Sequence, residues 1–231
     1  MKFDLDIIIP VFNEGNKINR LYELFNKYLN LNFRLLICYD FEGDNTLKYI
    51  KKIKNYKEKI ALVKNENFGP NEAIKKGLKE SESDILLVYM ADDFDNIDLI
   101  NKMYEIIKNE NYHLVVPSRF IKGGQFIGAS FIKKYITILG SFLIFYLGRV
   151  PIRDSTNAFK MFNKNVLNSI NIQSSKGFTY ALELTIKCHK KKFRIKEVPS
   201  IWKDIEGRKS KFKIYRWLPS YVYLLFISVI S

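Results

Sequence analysis

Cysteine is scarce: only Cys38 and Cys188 occur among 231 residues. Both lie in apolar or helix-like patterns and make no metal-ligand spacing. That excludes a zinc-finger scaffold and a disulfide framework, and fits a reducing cytosol. Glycine-rich phosphate loops are missing too. Neither Gly-x-x-x-x-Gly-Lys-Ser/Thr nor Gly-x-Gly-x-x-Gly occurs, so a plain P-loop or dinucleotide-binding protein has no support. With no RNP-like aromatic motif either, nucleic acid is not an expected partner. Long apolar runs are also lacking. The uncharged stretches Tyr135–Gly148 and Trp217–Ser231 both fall short of the roughly 20 residues of a membrane-spanning helix. The start of the chain runs directly into a strand pattern, so no signal peptide is expected. No internal repeat or low-complexity linker interrupts the sequence.

What is present points to a folded protein in anionic company. Hydrophobic residues make up 47 % of the chain, enough for a real core. Net charge is +14, from 38 basic and 24 acidic residues. Such a balance favours phosphorylated substrates or an anionic lipid surface. Both uncharged stretches sit beside Lys/Arg: Lys133 and Lys134 precede the first, and Arg208, Lys209, Lys211, Lys213 and Arg216 precede the second. Aromatic and aliphatic residues next to basic ones suit helices lying in an anionic membrane interface; a buried helix is the alternative.

Strand-like and helix-like patterns alternate through the first half. Strands are expected at Leu5–Pro10, Arg34–Asp40, Ile60–Lys64, Ile85–Met90 and Leu114–Pro117. Helices are expected near Lys17–Tyr28, Asn45–Lys54, Asn71–Glu80 and Asp98–Asn109. This rhythm means a doubly wound, mostly parallel α/β sheet. It breaks after Gly123-Gly124. Beyond that lie the apolar helix, an edge or antiparallel strand at Ala158–Phe162, a helix at Thr179–Lys191 and a strand at Phe193–Val198.

The densest chemical signal is the run 84–96. Its apolar strand ends in three carboxylates, Asp92, Asp93 and Asp95. Open α/β sheets bind ligands at the C-terminal ends of their strands. Clustered carboxylates repel, so a cation is their natural companion. Oxygen-only ligation suits Mg²⁺ or Mn²⁺ shared with a substrate's phosphates. The competing reading is a solvated turn in which an Asp caps the next helix.

Nine segments in order then resemble one family. Ile8-Ile9-Pro10-Val11-Phe12-Asn13-Glu14 is similar to the opening strand and loop of family 2 inverting glycosyltransferases with the GT-A fold. The nearest branch is that of dolichol-phosphate mannose synthase and bacterial polyprenyl-phosphate sugar transferases. The further segments are Asp40 with Gly43-Asp44-Asn45-Thr46, Asn67-Phe68-Gly69, Met90-Ala91-Asp92, Ser118-Arg119-Phe120, Asp154 to Lys160, Lys176-Gly177-Phe178 with Glu183, Glu197-Val198-Pro199 and Ser210-Lys211-Phe212.

The resemblance implies a GT-A nucleotide-diphospho-sugar transferase fold over residues 1–212, including the apolar helix 131–148. A membrane-apposed helical part follows at 213–231. It implies that Asp92 binds Mg²⁺ or Mn²⁺ with help from Asp93, and that Asp92 and Arg119 are the catalytic pair. Pro10, Glu14, Asp40, Asp93, Lys133, Asp154 and Lys211 become candidate contacts to substrate. Two departures stand out. Met90 occupies the first acid of the family's usual Asp-x-Asp, and Phe41 interrupts the usual second-strand acids. The implied partners are a nucleotide-sugar donor, a polyprenyl-phosphate or saccharide acceptor and an anionic membrane surface. The implied place is the cytoplasmic face of a membrane.

Acceptor chemistry is read from a missing part. A sugar hydroxyl needs a general base, whereas a phosphate monoester is already ionised at neutral pH. No separate base is marked in the sequence, although Asp154 and Glu183 can be nominated. This favours a lipid phosphate over a saccharide hydroxyl as acceptor.

Overall fold

The computed structural model describes residues 2–128, 131–203 and 214–230. The first half runs β1 (Leu5–Val11), α1 (Lys17–Tyr28), β2 (Phe33–Tyr39), α2 (Asn45–Ile50), β3 (Ile60–Lys64), α3 (Pro70–Lys79), β4 (Ile85–Val88), α4 (Ile97–Asn109) and β5 (Leu114–Ser118). The second half runs β6 (Gln125–Ile127), α5 (Phe131–Tyr146), β7 (Lys160–Asn163), α6 (Asn165–Ser169), α7 (Thr179–Lys190), β8 (Ile195–Pro199), β9 (Ile201–Lys203) and α8 (Ile214–Ile230).

Seven strands form one sheet in the order β3-β2-β1-β4-β7-β5-β8. All pairs are parallel except those of β7, which runs antiparallel between β4 and β5. The expected doubly wound sheet is therefore present. Successive β1 residues alternate between two cores, because strand side chains point to opposite faces. Leu5, Ile7 and Ile9 join the α1, α2 and α4 side, while Ile8 joins the α3, α7, α5 and α8 side. Helix α1 turns Ile18, Leu21 and Phe25 inward at helical spacing. Helix α3 lies so close to the sheet that a methyl group on Gly77 would come within 2.6 Å of Cys38 Sγ and Ile8 Cγ2. Only glycine permits that approach.

Several elements differ from the sequence reading. Helix α2 stops at Ile50, short of the expected Lys54, and a 3₁₀ turn at Tyr56–Glu58 follows. Lys48, Lys51, Lys52 and Lys54 stack like charges at i,i+3 and i,i+4, which weakens a helix. Strand β4 ends at Val88 rather than Met90, although the Tyr89 N–H still donates to Ile8 O. Strand β7 is antiparallel but interior, not an edge. The parallel pair β6–β9 was not expected, since strands of three residues carry almost no periodic signal. Among the described residues, no helix is long and apolar enough to cross a membrane.

The two apolar stretches form α5 and α8, which pack against each other. Ile144 and Leu224 are buried in the core on this side of the sheet. Other residues face outward: Tyr135, Phe142 and Tyr146 on α5, and Leu218, Val222, Phe226 and Ile230 at four-residue spacing on α8. Each helix thus has one core face and one exposed apolar face.

Candidate active site

The sheet brings the predicted residues to one edge. Pro10, Asp40, Asp92 and Arg119 lie at or just beyond the C-terminal ends of β1, β2, β4 and β5. Because β7 runs the other way, its preceding segment, with Asp154 and Thr156, reaches that same edge. Pro10 is tolerated inside a central strand for a local reason. The β1–β4 ladder ends at Ile8↔Val88, so no partner on that side asks for its missing N–H.

The β1–α1 loop is latched to the start of α2. Asp44 Oδ2 accepts from Asn13 N (3.0 Å), Thr46 Oγ1 from Glu14 N (3.0 Å) and Asn45 Oδ1 from Gly15 N (2.8 Å). Asp44 also caps α2 by accepting from Thr46 N at 2.8 Å. The Glu14 carboxylate meets Lys17 Nζ at 2.9 Å. Asp40 is buried, and both its oxygens serve the β3–α3 loop. Oδ1 accepts from Asn65 Nδ2 (2.7 Å) and Oδ2 from Gly69 N (2.9 Å). This candidate substrate contact thus braces the loop around it. Phe12 and Phe41 stand edge to face beside it, 5.6 Å between centroids.

The three carboxylates after β4 separate into three jobs. Asp93 turns inward, where its oxygens accept from Asn96 Nδ2 (2.9 and 2.8 Å) and Asp95 N (3.1 Å). Asn96 in turn exchanges two hydrogen bonds with the backbone of Ile201, tying the turn to β9. Burial pushes the Asp93 carboxyl up to about 6, against the pull of these hydrogen bonds. Asp95 pairs with Lys203 Nζ at 2.8 Å. Asp92 stays half-buried at the tip of the turn. Of the expected Asp92–Asp93 metal pair, Asp93 has both oxygens engaged by Asn96 and Asp95 N. Among the described residues no three His, Cys, Asp or Glu side chains converge on one point. This donor set fits a hard cation held by one carboxylate and completed by substrate phosphates, the usual mode for Mg²⁺.

Arg119 and Asp154 form a buried fork. Arg119 Nε and Nη2 donate to the two Asp154 oxygens at 2.7 Å each, and Arg119 N adds a third bond at 2.9 Å. Thr156 Oγ1 lies 3.4 Å from Nη2. The guanidinium also packs over the rings of Phe120 and Phe126, 5.1 and 4.7 Å to their centroids. The Nε/Nη2 edge that a guanidinium would offer to a phosphate is thus occupied by Asp154. Nη1 is the part of the guanidinium that these bonds leave over. Asp154, nominated as a base or a substrate contact, is wholly buried beneath it. Glu183, the other nominee, accepts from Gln173 N (2.9 Å), Ser174 N (2.8 Å) and Lys187 Nζ (2.5 Å). Burial raises its carboxyl, but Lys187 and the two backbone N–H groups outweigh that and hold it below the ordinary value.

Lys133 lies in the first turn of α5, with its side chain outside the described set, and Lys211 lies outside the described residues. Sequence reasoning missed Asn96, Thr156 as a partner of Arg119, and Lys160 as a buried amine. Lys160 alone carried a signal: a charge between Phe159 and Met161 in an apolar strand.

An open parallel sheet with a carboxylate-tipped turn at its C-terminal edge defines a nucleotide-diphospho-sugar transferase architecture of the GT-A type. Glucosyl-3-phosphoglycerate synthase from Mycobacterium tuberculosis, solved with Mn²⁺, UDP-glucose and phosphoglyceric acid, has the same fold. It matches at TM-score 0.73 over 98 % of this chain and 80 % of that one, at 12 % identity. The model of glycosyl transferase family 2 matches residues 6–170, and the chain belongs to that family. It is 30 % identical over 211 residues to the UDP-N-acetylglucosamine–dolichyl-phosphate N-acetylglucosaminyltransferase of Methanococcus voltae, covering 84 % of this chain and 83 % of that protein. It is 26 % identical over 202 residues to the dolichol-phosphate mannosyltransferase of Pyrococcus furiosus, covering 84 % of this chain but 55 % of that longer protein.

Proposed function

We propose that the protein moves a sugar from a nucleotide-diphosphate donor to the phosphate of a polyprenyl lipid, with inversion at the anomeric carbon. One observation carries this reading beyond the names of its relatives. Both carboxylates nominated as a base are engaged elsewhere, Asp154 by Arg119 and Glu183 by backbone N–H groups and Lys187. A hydroxyl acceptor would find no base in either, whereas a phosphate monoester needs none. Such a site has to supply orientation and charge stabilisation.

In this reading Asp92 holds Mg²⁺ or Mn²⁺ against the donor diphosphate. The ion, when bound, neutralises charge on the departing nucleoside diphosphate. The latched β1–α1 loop and the Asp40-braced β3–α3 loop frame the donor. Arg119, held rigid by Asp154, supplies positive charge on the far side of the Asp92 turn. Lys133 and Lys211 are further contacts to phosphate. The exposed faces of α5 and α8 lie against an anionic membrane, where a lipid acceptor would be found. Residues 1–212 act as the transferase domain and 213–231 as the interfacial part.

The test is direct. Purified protein is incubated with labelled UDP- and GDP-sugars, Mn²⁺ and a short polyprenyl phosphate, and glycolipid is measured. Formation of glycolipid is expected, abolished by EDTA. Transfer to a saccharide hydroxyl with none to the lipid phosphate would overturn the acceptor assignment.

A further inference from the structure

Asn96 stands at the N-cap position of α4, where an asparagine side chain usually accepts from the first free N–H groups of the helix. Here the side chain makes no cap bond. It is buried and turned the other way. Oδ1 accepts from Ile201 N at 3.0 Å, and Nδ2 donates to Ile201 O at 2.7 Å as well as to both oxygens of Asp93. The amide thus pairs with the backbone of β9 as a strand residue would, and the helix goes without its cap. The sheet order supplies a reason. Asp92 follows β4 and Arg119 follows β5, but β7 lies between those strands, so no ladder joins the two directly. The β6–β9 pair spans that gap. On one side it is fixed to Arg119. Ser200 N, just ahead of β9, donates to Ser118 O at 3.0 Å, and a methyl group on Gly124, just ahead of β6, would come within 2.4 Å of that same oxygen. The ring of Phe126 lies 4.7 Å from the Arg119 guanidinium and 4.9 Å from the ring of Trp202. On the other side β9 is fixed to the Asp92 turn by Asn96, with the exposed Lys203–Asp95 pair alongside.

We propose that Asn96 is a positioning residue for sugar transfer, whose amide locks the Asp92 turn to β9 and so fixes the separation of Asp92 from Arg119. In the transferase reading, on which this rests, Asp92 serves the donor diphosphate and Arg119 an anionic group across the turn. Each half can bind its own group without the lock. Transfer needs both at once and in register, and a displacement of about 1 Å can cost a hundredfold in rate. Loss of Asn96 therefore falls on kcat and spares the affinity for nucleotide.

Two measurements test it. In the wild-type protein, amide exchange at Ile201 is followed by NMR with and without Mg²⁺ and saturating UDP or GDP, whose binding is measured by calorimetry. The Ile201 N–H is freed when the Asp92 turn lets go of β9, so a nucleotide held at that turn should slow its exchange about tenfold. Bound nucleotide with no change at Ile201 would overturn the proposal. Turnover per folded molecule is then compared for wild type, N96A, N96D, R119A and the N96A/R119A double variant. N96A should lower kcat about thirtyfold with donor KM within about threefold of wild type. R119A should cost about a hundredfold alone but no more than about tenfold on top of N96A, because the shared unit is already broken. N96D keeps the bond from Ile201 N but sets a carboxylate against Ile201 O and Asp93, and should lose at least as much as N96A. Were Asn96 a staple of the fold and nothing more, N96A would lower the melting temperature while kcat per folded molecule and the full cost of R119A stayed as in wild type, and that result would overturn the proposal. The exchange measurement decides the matter should the variants fail to fold. A wild type that binds neither nucleotide and turns over no donor would overturn this inference and the transferase reading together, whereas an active wild type matched by N96A would overturn this inference alone.

Discussion

Arg34 grips Asp6 through Nε and Nη2 at 2.9 and 2.8 Å, and Arg119 grips Asp154 through the same two atoms at 2.7 Å each. Both aspartates are wholly buried. The forks stand at opposite edges of one sheet. At the N-terminal edge, the other partners of Asp6 are Glu82 N and Ser83 N, which close the turn into β4. Every partner there is scaffold. At the C-terminal edge, Asp154 also accepts from Arg119 N, and its own N–H donates to Glu197 Oε1. The same bond geometry braces a turn in one place and, in the proposed transferase, aims a charge in the other. Location on the sheet decides which.

Four experiments can break or sharpen this contrast. The largest effect is expected beside the second fork, at the tip of the β4 turn. Asp92→Asn should lower turnover about a thousandfold while circular dichroism stays unchanged, and EDTA should mimic it. Near wild-type rates at saturating donor would remove Asp92 from the metal role. Next comes the fork itself. Arg119→Ala and Asp154→Asn should each cost about a hundredfold in kcat, and the double variant little more, because the two act as one unit. Additive losses in the cycle would separate them.

The first fork should fail in the opposite way. Asp6→Asn should destabilise the fold by about 3–5 kcal/mol, read by denaturant titration, with kcat per folded molecule unchanged. Its pH signature follows from sign. Burial raises the Asp6 carboxyl, but Arg34 and the Ser83 and Glu82 N–H groups outweigh it and leave the folded value below the ordinary one. Stability from Asp6 is thus complete at neutral pH and is lost as pH drops below about 4. Acid unfolding should be shallower in the variant. The smallest effect is expected at Asp93. Its folded value of about 6 lies above the ordinary one, so ionised Asp93 costs stability as pH rises from about 4 to 6. Asp93→Asn should leave neutral stability level or slightly higher and reduce turnover less than about tenfold. A loss as large as that of Asp92→Asn would mean that both carboxylates hold the metal.

The two forks also measure what a sequence reveals. The parallel strands were legible because each is a short apolar run ending in turn residues. The cluster after β4 was legible as chemistry because three acids follow a buried strand. The direction of each acid was not. Asp93 turns inward because Asn96, three residues on, offers its side-chain amide nitrogen to both oxygens and is itself pinned to Ile201, far away in the chain. Likewise the resemblance marked Arg119 as catalytic, while its partner Asp154 lies 35 residues later. Such pairing depends on the antiparallel insertion of β7, which no local period announces. Asp40 reached its expected strand end, yet its bonds to Asn65 and Gly69 could be seen only once β3 lay beside β2.

Gly148 follows α5 closely and lies six residues ahead of Asp154. A methyl group there would collide with Ser228 Oγ of α8 and come within 2.7 Å of Ile144 O. Val150 and Ile152, on the way to Asp154, share their core with Leu224 of α8. The segment carrying Asp154 therefore takes its final shape against residues made some seventy positions later. During synthesis, domains fold from the N-terminal side as chain becomes available. Strands β1–β3 can pair while the rest is still being made, whereas the turn that carries Asp92 waits for Ile201 and Lys203, which hold its neighbours Asn96 and Asp95. The Arg119 fork has to wait until residues 214–230 have cleared the ribosome. A nascent chain would thus pair its first strands well before either side of its site is complete.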